Sequence, residues 1–121
     1  MIRPLPPLAG VELQPASRLE WTRLVPRIRM PDRLMLLAGW VAAFADRDGS
    51  GLQLDLPQFA ACIDADEQAV LGMLAVLCEE YGLLQVVTTE PVTHRLTLPA
   101  DVYDRFEFVA SAGDPGTGSV E

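Results

Sequence analysis

Asp46, Asp48, Ser50 and Gly51 stand at the spacing that opens a twelve-residue calcium-binding loop: oxygen side chains at alternate positions, then a glycine at the sharp turn. Such a loop is closed by a bidentate glutamate at its twelfth position. Counted from Asp46 that position is Pro57, which has no side-chain oxygen, and position 8, usually a branched apolar residue, is Gln53. Calcium is therefore not expected, and "DRDGSG" reads as a cluster of turn formers. Other chemistry is equally thin. Cys62 and Cys78 sit in apolar surroundings without a second pair or a nearby histidine, so they read as core residues rather than as a disulfide or a zinc site. His94 is the sole histidine, and no activated serine or cysteine, phosphate-cradling glycine loop or carboxylate pair accompanies it. The expectation is a non-enzyme without a cofactor.

The elements that position these residues must come from 121 residues that are 50% apolar, enough for one domain with a core. No apolar run approaches the eighteen or so residues of a membrane span, and "MIRPLPPLAG" lacks the charged-then-apolar order of a signal peptide, so a cytoplasmic location with no membrane partner is expected. All nine basic residues are arginine. Six of them lie in residues 1–45 against three acids, whereas residues 46–121 hold three against fourteen, a division into +3 and −11. An acidic body repels phosphate, so nucleic-acid affinity requires a concentrated basic face. The run Arg18, Arg23, Arg27, Arg29, Arg33 is the candidate.

Residues 1–16, with Pro4, Pro6, Pro7 and Pro15, read as an extended proline-rich arm, residues 17–110 as the folded domain and residues 111–121 as a disordered tail. Ser17 and Glu20 form a capping box for a short helix ending before Pro26. Asp32 can cap "RLMLLAGWVAAFA", apolar almost all round and so expected at the centre of the core. "LQLDL" alternates like a small strand, and Asp55 caps "LPQFAACI", where Pro57 is tolerated in the first turn. A further helix starts from Asp64 with Glu67, or from Asp66 directly, buries Val70, Leu74, Leu77 and Tyr81, and stops at Gly82. "LLQVVTT" and "THRLTL" make a hairpin around "EPV", and "PADVYDRFEFVA" a closing helix. The order is that of an α+β winged helix-turn-helix: three core helices, a small strand and a C-terminal β-hairpin wing, preceded by a short N-terminal helix. Trp21 and Trp40 are expected as core anchors.

From Glu20 to Arg105, "ADRDGSG", "CEEYGLLQVV" and "HRLTLPADVYDR" also resemble the actinobacterial winged helix-turn-helix proteins of plasmids, phages and integrated elements. That resemblance implies a DNA-associated regulator or replication accessory. It also places "DRDGSG" between the first core helix and the small strand, with Gly49 and Gly51 supplying turn conformations and the two aspartates solvated or bonding local amides.

On the DNA reading, Arg23, Arg27, Arg29 and Arg33 contact phosphates, Gln68 on the recognition helix faces adenine, and His94 and Arg95 on the wing reach a minor groove. No cation, however, occurs between Arg47 and Arg95, and Asp64, Asp66 and Glu67 crowd the start of that helix, where they also suit the positive end of its dipole. Leu71, Gly72 and Ala75 are small or apolar at its expected outer positions, which fits a homodimer or protein interface. The alternative reading is thus an acidic interaction or dimerisation module that has lost DNA reading.

Overall fold

The computed structural model describes residues 5–109. The tail expected at 111–121 lies outside them.

Helix starts follow local capping chemistry. Ser17 Oγ accepts from the Glu20 amide at 3.1 Å, and the Glu20 carboxylate accepts from the Ser17 amide at 3.0 Å, closing the capping box of α1 (Arg18–Leu24). Pro26 turns the chain through one 3₁₀ turn (Val25–Arg27). In α2 (Asp32–Phe44) the cap is Pro31, and Asp32, expected as the cap, is instead in the first turn, where its charge meets the helix dipole. Asp55 caps α3 (Leu56–Ile63) through the Gln58 amide at 3.2 Å. Asp66, rather than Asp64 with Glu67, caps α4 (Glu67–Glu79) through the Ala69 amide at 2.7 Å, because Asp64 is held in the left-handed conformation, φ 53°, that ends α3.

Three strands form one antiparallel sheet in the order β1 (Leu13–Pro15), β3 (Val92–Pro99), β2 (Leu84–Thr89). The hairpin register pairs Leu84 with Leu96 and Val86 with His94. β1 falls within the proline-rich arm; it is extended as expected, but it also pairs with β3, Leu13 with Pro99 and Pro15 with Thr97. The strand expected at "LQLDL" reduces to one bridge between Leu52 and His94. The closing helix also shrinks, to α5 (Val102–Arg105), after which the chain extends: Arg29 donates its amide to the Glu107 carbonyl at 2.7 Å and Val109 donates to Arg27 at 2.8 Å. Arg105 is buried and donates to Asp101 and to the carbonyls of Pro6 and Pro7, tying the proline-rich arm to α5. This α+β arrangement is compatible with a winged helix, with α3 and α4 as the helix pair and β2–β3 as the wing.

The core gathers one face of each helix against β3: Trp21, Leu37, Val41, Phe59, Leu77 and Leu96 are all buried. Each fully buried large apolar side chain contributes about 1.5–3 kcal/mol relative to exposure. Trp21 also donates its indole N–H to the Leu83 carbonyl at 3.0 Å, so its one polar atom is satisfied. Trp40, expected as a second anchor, is instead 38% exposed. The cause lies in α2 itself: Leu34, Leu37, Ala38 and Val41 already fill its inner face, and Trp40 falls on the other side.

"DRDGSG" serves this packing. Gly49 is buried with φ +86°, and a Cβ there would lie 2.0 Å from the Ala16 carbonyl oxygen. Its own carbonyl accepts from Leu96 N at 2.7 Å. Gly49→Ala should therefore combine left-handed strain with a backbone clash and destabilise the fold by at least about 2 kcal/mol. Urea unfolding should show the loss as a lowered midpoint with an unchanged slope; a midpoint within error of wild type would show that the loop is not packed this way.

Candidate functional site

The outward side of α4 carries Glu67, Gln68, Leu71, Gly72 and Glu79, all exposed, with Ala75 half-exposed. The opposite stripe, Val70, Leu74 and Leu77, is buried as expected. Leu71 is 49% exposed because it borders a cleft of about 340 Å³ between α4, the segment leading into α3 and the hairpin. Leu54, Leu56, Leu71, Ala75, Val86 and Cys78 supply apolar lining, and His94 lies at its base. Sequence reasoning found Leu71 and Ala75 but missed Leu54, Leu56 and Val86. The alternating leucines of "LQLDL" were the available signal, since period two places Leu52, Leu54 and Leu56 on one side.

Electrostatics around the cleft are acidic. Asp66 and Glu67 stand at the start of α4 and Glu79 and Glu80 at its end, all exposed. Burial, with Glu79 beside it, pushes the Cys78 thiol up to about 11, so it stays protonated and unreactive near neutrality.

The candidate phosphate contacts divide. Arg33 donates to the carbonyls of Ile63 and Asp64 at 3.0 and 3.2 Å, capping the end of α3. Arg29 pairs with Glu107 at 3.5 Å, and Arg18 donates to the Ala45 carbonyl at 3.1 Å. Arg23 and Arg27 remain exposed beside Glu20 and Tyr103. On the wing, Arg95 donates to the Asp48 carbonyl at 2.9 Å and is half-buried. His94, expected to reach a minor groove from the wing, is only 8% exposed, because the bridge to Leu52 draws that part of β3 into the molecule. Its Nδ1 is buried with no hydrogen-bond partner among the described residues. Gln68 is exposed near the start of α4, apart from these cations in sequence and element.

The carboxylates of the loop are turned to local use. Asp48 Oδ1 accepts from the Ser50 hydroxyl at 2.6 Å and from its amide at 3.0 Å, and these bonds hold the carboxyl below its ordinary pKa. Asp46 lies against Gly51, where an added Cβ would come within 2.3 Å of its Oδ2.

No known protein family, curated protein or solved structure matches the chain. Among the described residues no helix is long and apolar enough to cross a membrane.

Two outcomes follow from these environments. With Pro57 at the closing position, calorimetry should detect no saturable calcium binding below about millimolar concentration, far weaker than sensor loops reach; a stoichiometric micromolar site would refute the turn reading. His94 has its pKa lowered by burial, so between its folded and unfolded values the unfolded chain binds more protons. Above the unfolded value near 6.5 its burial adds no pH-dependent cost, and stability is lost as the pH falls through that value toward the folded pKa. Compared by urea unfolding, His94→Leu should therefore gain on wild type between about pH 7.5 and about pH 5.5. A stability difference independent of pH would show that His94 is not buried in its neutral form.

Proposed function

We propose that the chain is a winged-helix protein-interaction module in which the outward side of α4, the position of a DNA-reading helix, serves a protein partner. The observation that carries this reading is the make-up of that surface. It holds no cation, and a half-exposed leucine opens onto an apolar cleft whose lining carries a single charged group, the carboxylate of Glu79. A DNA groove calls for side chains that bond base edges and neutralise phosphate. An apolar cleft calls for an apolar insert, and Glu79 in its lining, with exposed acids at both ends of α4, favours one flanked by basic residues. The net charge of −8 reinforces that selection over longer distances.

A DNA-associated role, as regulator or replication accessory of a mobile element, draws its support from Arg23 and Arg27, the exposed guanidiniums of α1 and the following turn. Two cations give a shallow salt dependence, with a slope of roughly −2 in log affinity against log salt, and affinity that does not discriminate sequence.

The test sets the two against each other. A leucine-rich amphipathic helical peptide with basic flanks and a labelled duplex DNA are each titrated by fluorescence anisotropy, at low and at physiological salt. The peptide should bind, and Leu71→Glu should weaken it about tenfold or more while leaving the circular dichroism spectrum intact, since Leu71 lies on the surface of α4. DNA should bind only at low salt and lose its affinity in Arg23→Ala/Arg27→Ala. Tight duplex binding at physiological salt that Gln68→Ala or Leu71→Glu abolishes would sink the protein-partner reading in favour of DNA.

A further inference from the structure

We propose that the chain pairs with a second copy of itself through α2, the two helices running antiparallel about a two-fold axis between Gly39 and Trp40. The inner face of α2 is consumed by the core, yet the outer face is apolar as well: Leu36 is 48% exposed and Trp40 38%, with Gly39 open between them and Ala43 open beyond Trp40. Beside it α1 raises a wall, and the two helices enclose an apolar cleft of about 490 Å³. A second hollow continues past Ala43 to Arg18 and Arg47 at the far end. A Cβ placed on Gly39 would meet nothing within 4 Å, so the floor of the groove is an open hole in the middle of the helix.

What fits this groove is the helix itself. With the two-fold axis between residues 39 and 40, an antiparallel copy sets Leu36 level with Ala43 of the second copy, and Gly39 level with Trp40 of the second copy. Each large side chain meets a small one, and symmetry repeats every contact. The ends match in charge too. Asp32, exposed in the first turn, lies on the same helical stripe as Leu36, Gly39 and Ala43, and Arg47, exposed, stands just beyond the last turn. Antiparallel packing brings Asp32 toward Arg47 of the second copy at both ends, and opposes the helix dipoles. A helix of 13 residues is about 20 Å long, and with Leu19, 59% exposed on α1, at the margin it presents a continuous strip rather than a single contact. A parallel copy would set Trp40 against Trp40 and Asp32 against Asp32, so bulk and charge alike select the antiparallel arrangement. This face shares no residue with the α4 cleft, and the pairing stands or falls independently of the protein-partner reading.

Sedimentation equilibrium of the full chain from about 1 to about 100 μM should show a monomer–dimer equilibrium. Gly39→Gln fills the hole while raising helix propensity, so the fold is kept; its dimer should weaken about tenfold or more, with circular dichroism unchanged. Asp32→Arg should weaken the dimer, and adding Arg47→Asp should restore it, a recovery that only pairing between those two positions produces. Leu71→Glu should dimerise like wild type, which separates this surface from the α4 cleft. A wild type that stays monomeric throughout, or a Gly39→Gln protein that dimerises as well as wild type, would overturn the proposal; a double charge swap that stays weak would overturn the antiparallel register.

Discussion

Four chain segments converge on residues 94–97 of β3, and the approach of Ala16 to that junction requires that Gly49 carry no side chain. Leu96 donates its amide to the Gly49 carbonyl at 2.7 Å and accepts from Ala16 at 3.1 Å, while His94 exchanges both backbone bonds with Leu52, at 2.8 and 3.1 Å. On the next residue Thr97 donates to Leu83 through its amide at 3.0 Å and to Gly82 through its hydroxyl at 2.9 Å, so a fully buried polar side chain is satisfied. The loop after α2, the start of α1, the segment before β2 and the entry to α3 are thereby fixed to one strand. A side chain at Gly49 would push Ala16 away from that junction, and with it Ser17 and the start of α1. Asp48 bonds Ser50 through its carboxylate and the Asp46 backbone carbonyl accepts from the Gly49 amide, so the loop's residue types serve the turn although they imitate a cation site.

The same economy governs the arginines. Where a helix end or a loop leaves carbonyls without partners, an arginine supplies the donors: Arg33 at the end of α3, Arg18 at the end of α2, Arg95 at Asp48, and Arg105 at the proline-rich arm. Guanidiniums suit this work, since the planar fork reaches two acceptors while the stem packs on apolar neighbours. The basic run in the sequence is therefore divided: Arg18, Arg29 and Arg33 are engaged in bonds, the last two while still exposed, and Arg23 and Arg27 are exposed guanidiniums beside them. Because Arg18, Arg33 and Arg95 bond only carbonyls, and of the four carbonyl donors Arg105 alone also pairs with a carboxylate, that of Asp101, most of the carboxylates stay uncompensated, and the body keeps the acidity that the composition announced.

Features resting on chemistry within a few residues were legible beforehand: the Ser17–Glu20 capping box, the Asp55 and Asp66 caps, the turn at "DRDGSG", the buried stripe of α4 and the hairpin. Those that depend on distant partners were not. β1 pairs with a strand more than eighty residues later, and nothing in "LQP" announces it. His94 is buried by Leu52, not by its own neighbours, and the closing helix is cut short by Phe108 pairing with Ile28. Trp40 failed for a different reason: a helix apolar all round reports that both faces avoid polar residues, not which face the monomer buries. At the candidate site, Leu71 and Ala75 could be read from helical period, whereas the cleft they border exists only once the hairpin folds beside α4.

That ambiguity in α2 has a physical resolution. An exposed leucine and tryptophan flanking an open glycine would be a liability on a monomer, since desolvated contact with any apolar surface is favourable. A self-complementary pattern restricts the contact to one partner in one orientation, and a two-fold pair is closed, so association stops at two. The α4 cleft lies on different elements, lined by α4, the hairpin and the segment before α3, so such a pair leaves two clefts free. Two clefts on one rigid body favour a partner that offers its apolar segment twice, because the second contact forms at the effective concentration set by the first. Acidity then acts in opposite senses at the two surfaces. At the proposed partner site it would draw a basic-flanked segment to the cleft, and in the proposed pair it would oppose the approach of two copies with a net charge of −8 each, which the local pairing of Asp32 with Arg47 must outweigh at contact distance. Salt screens the long-range repulsion and the exposed Asp32–Arg47 pairs alike but not apolar contact, so it would weaken the proposed cleft's hold on a basic partner more than the proposed self-pairing.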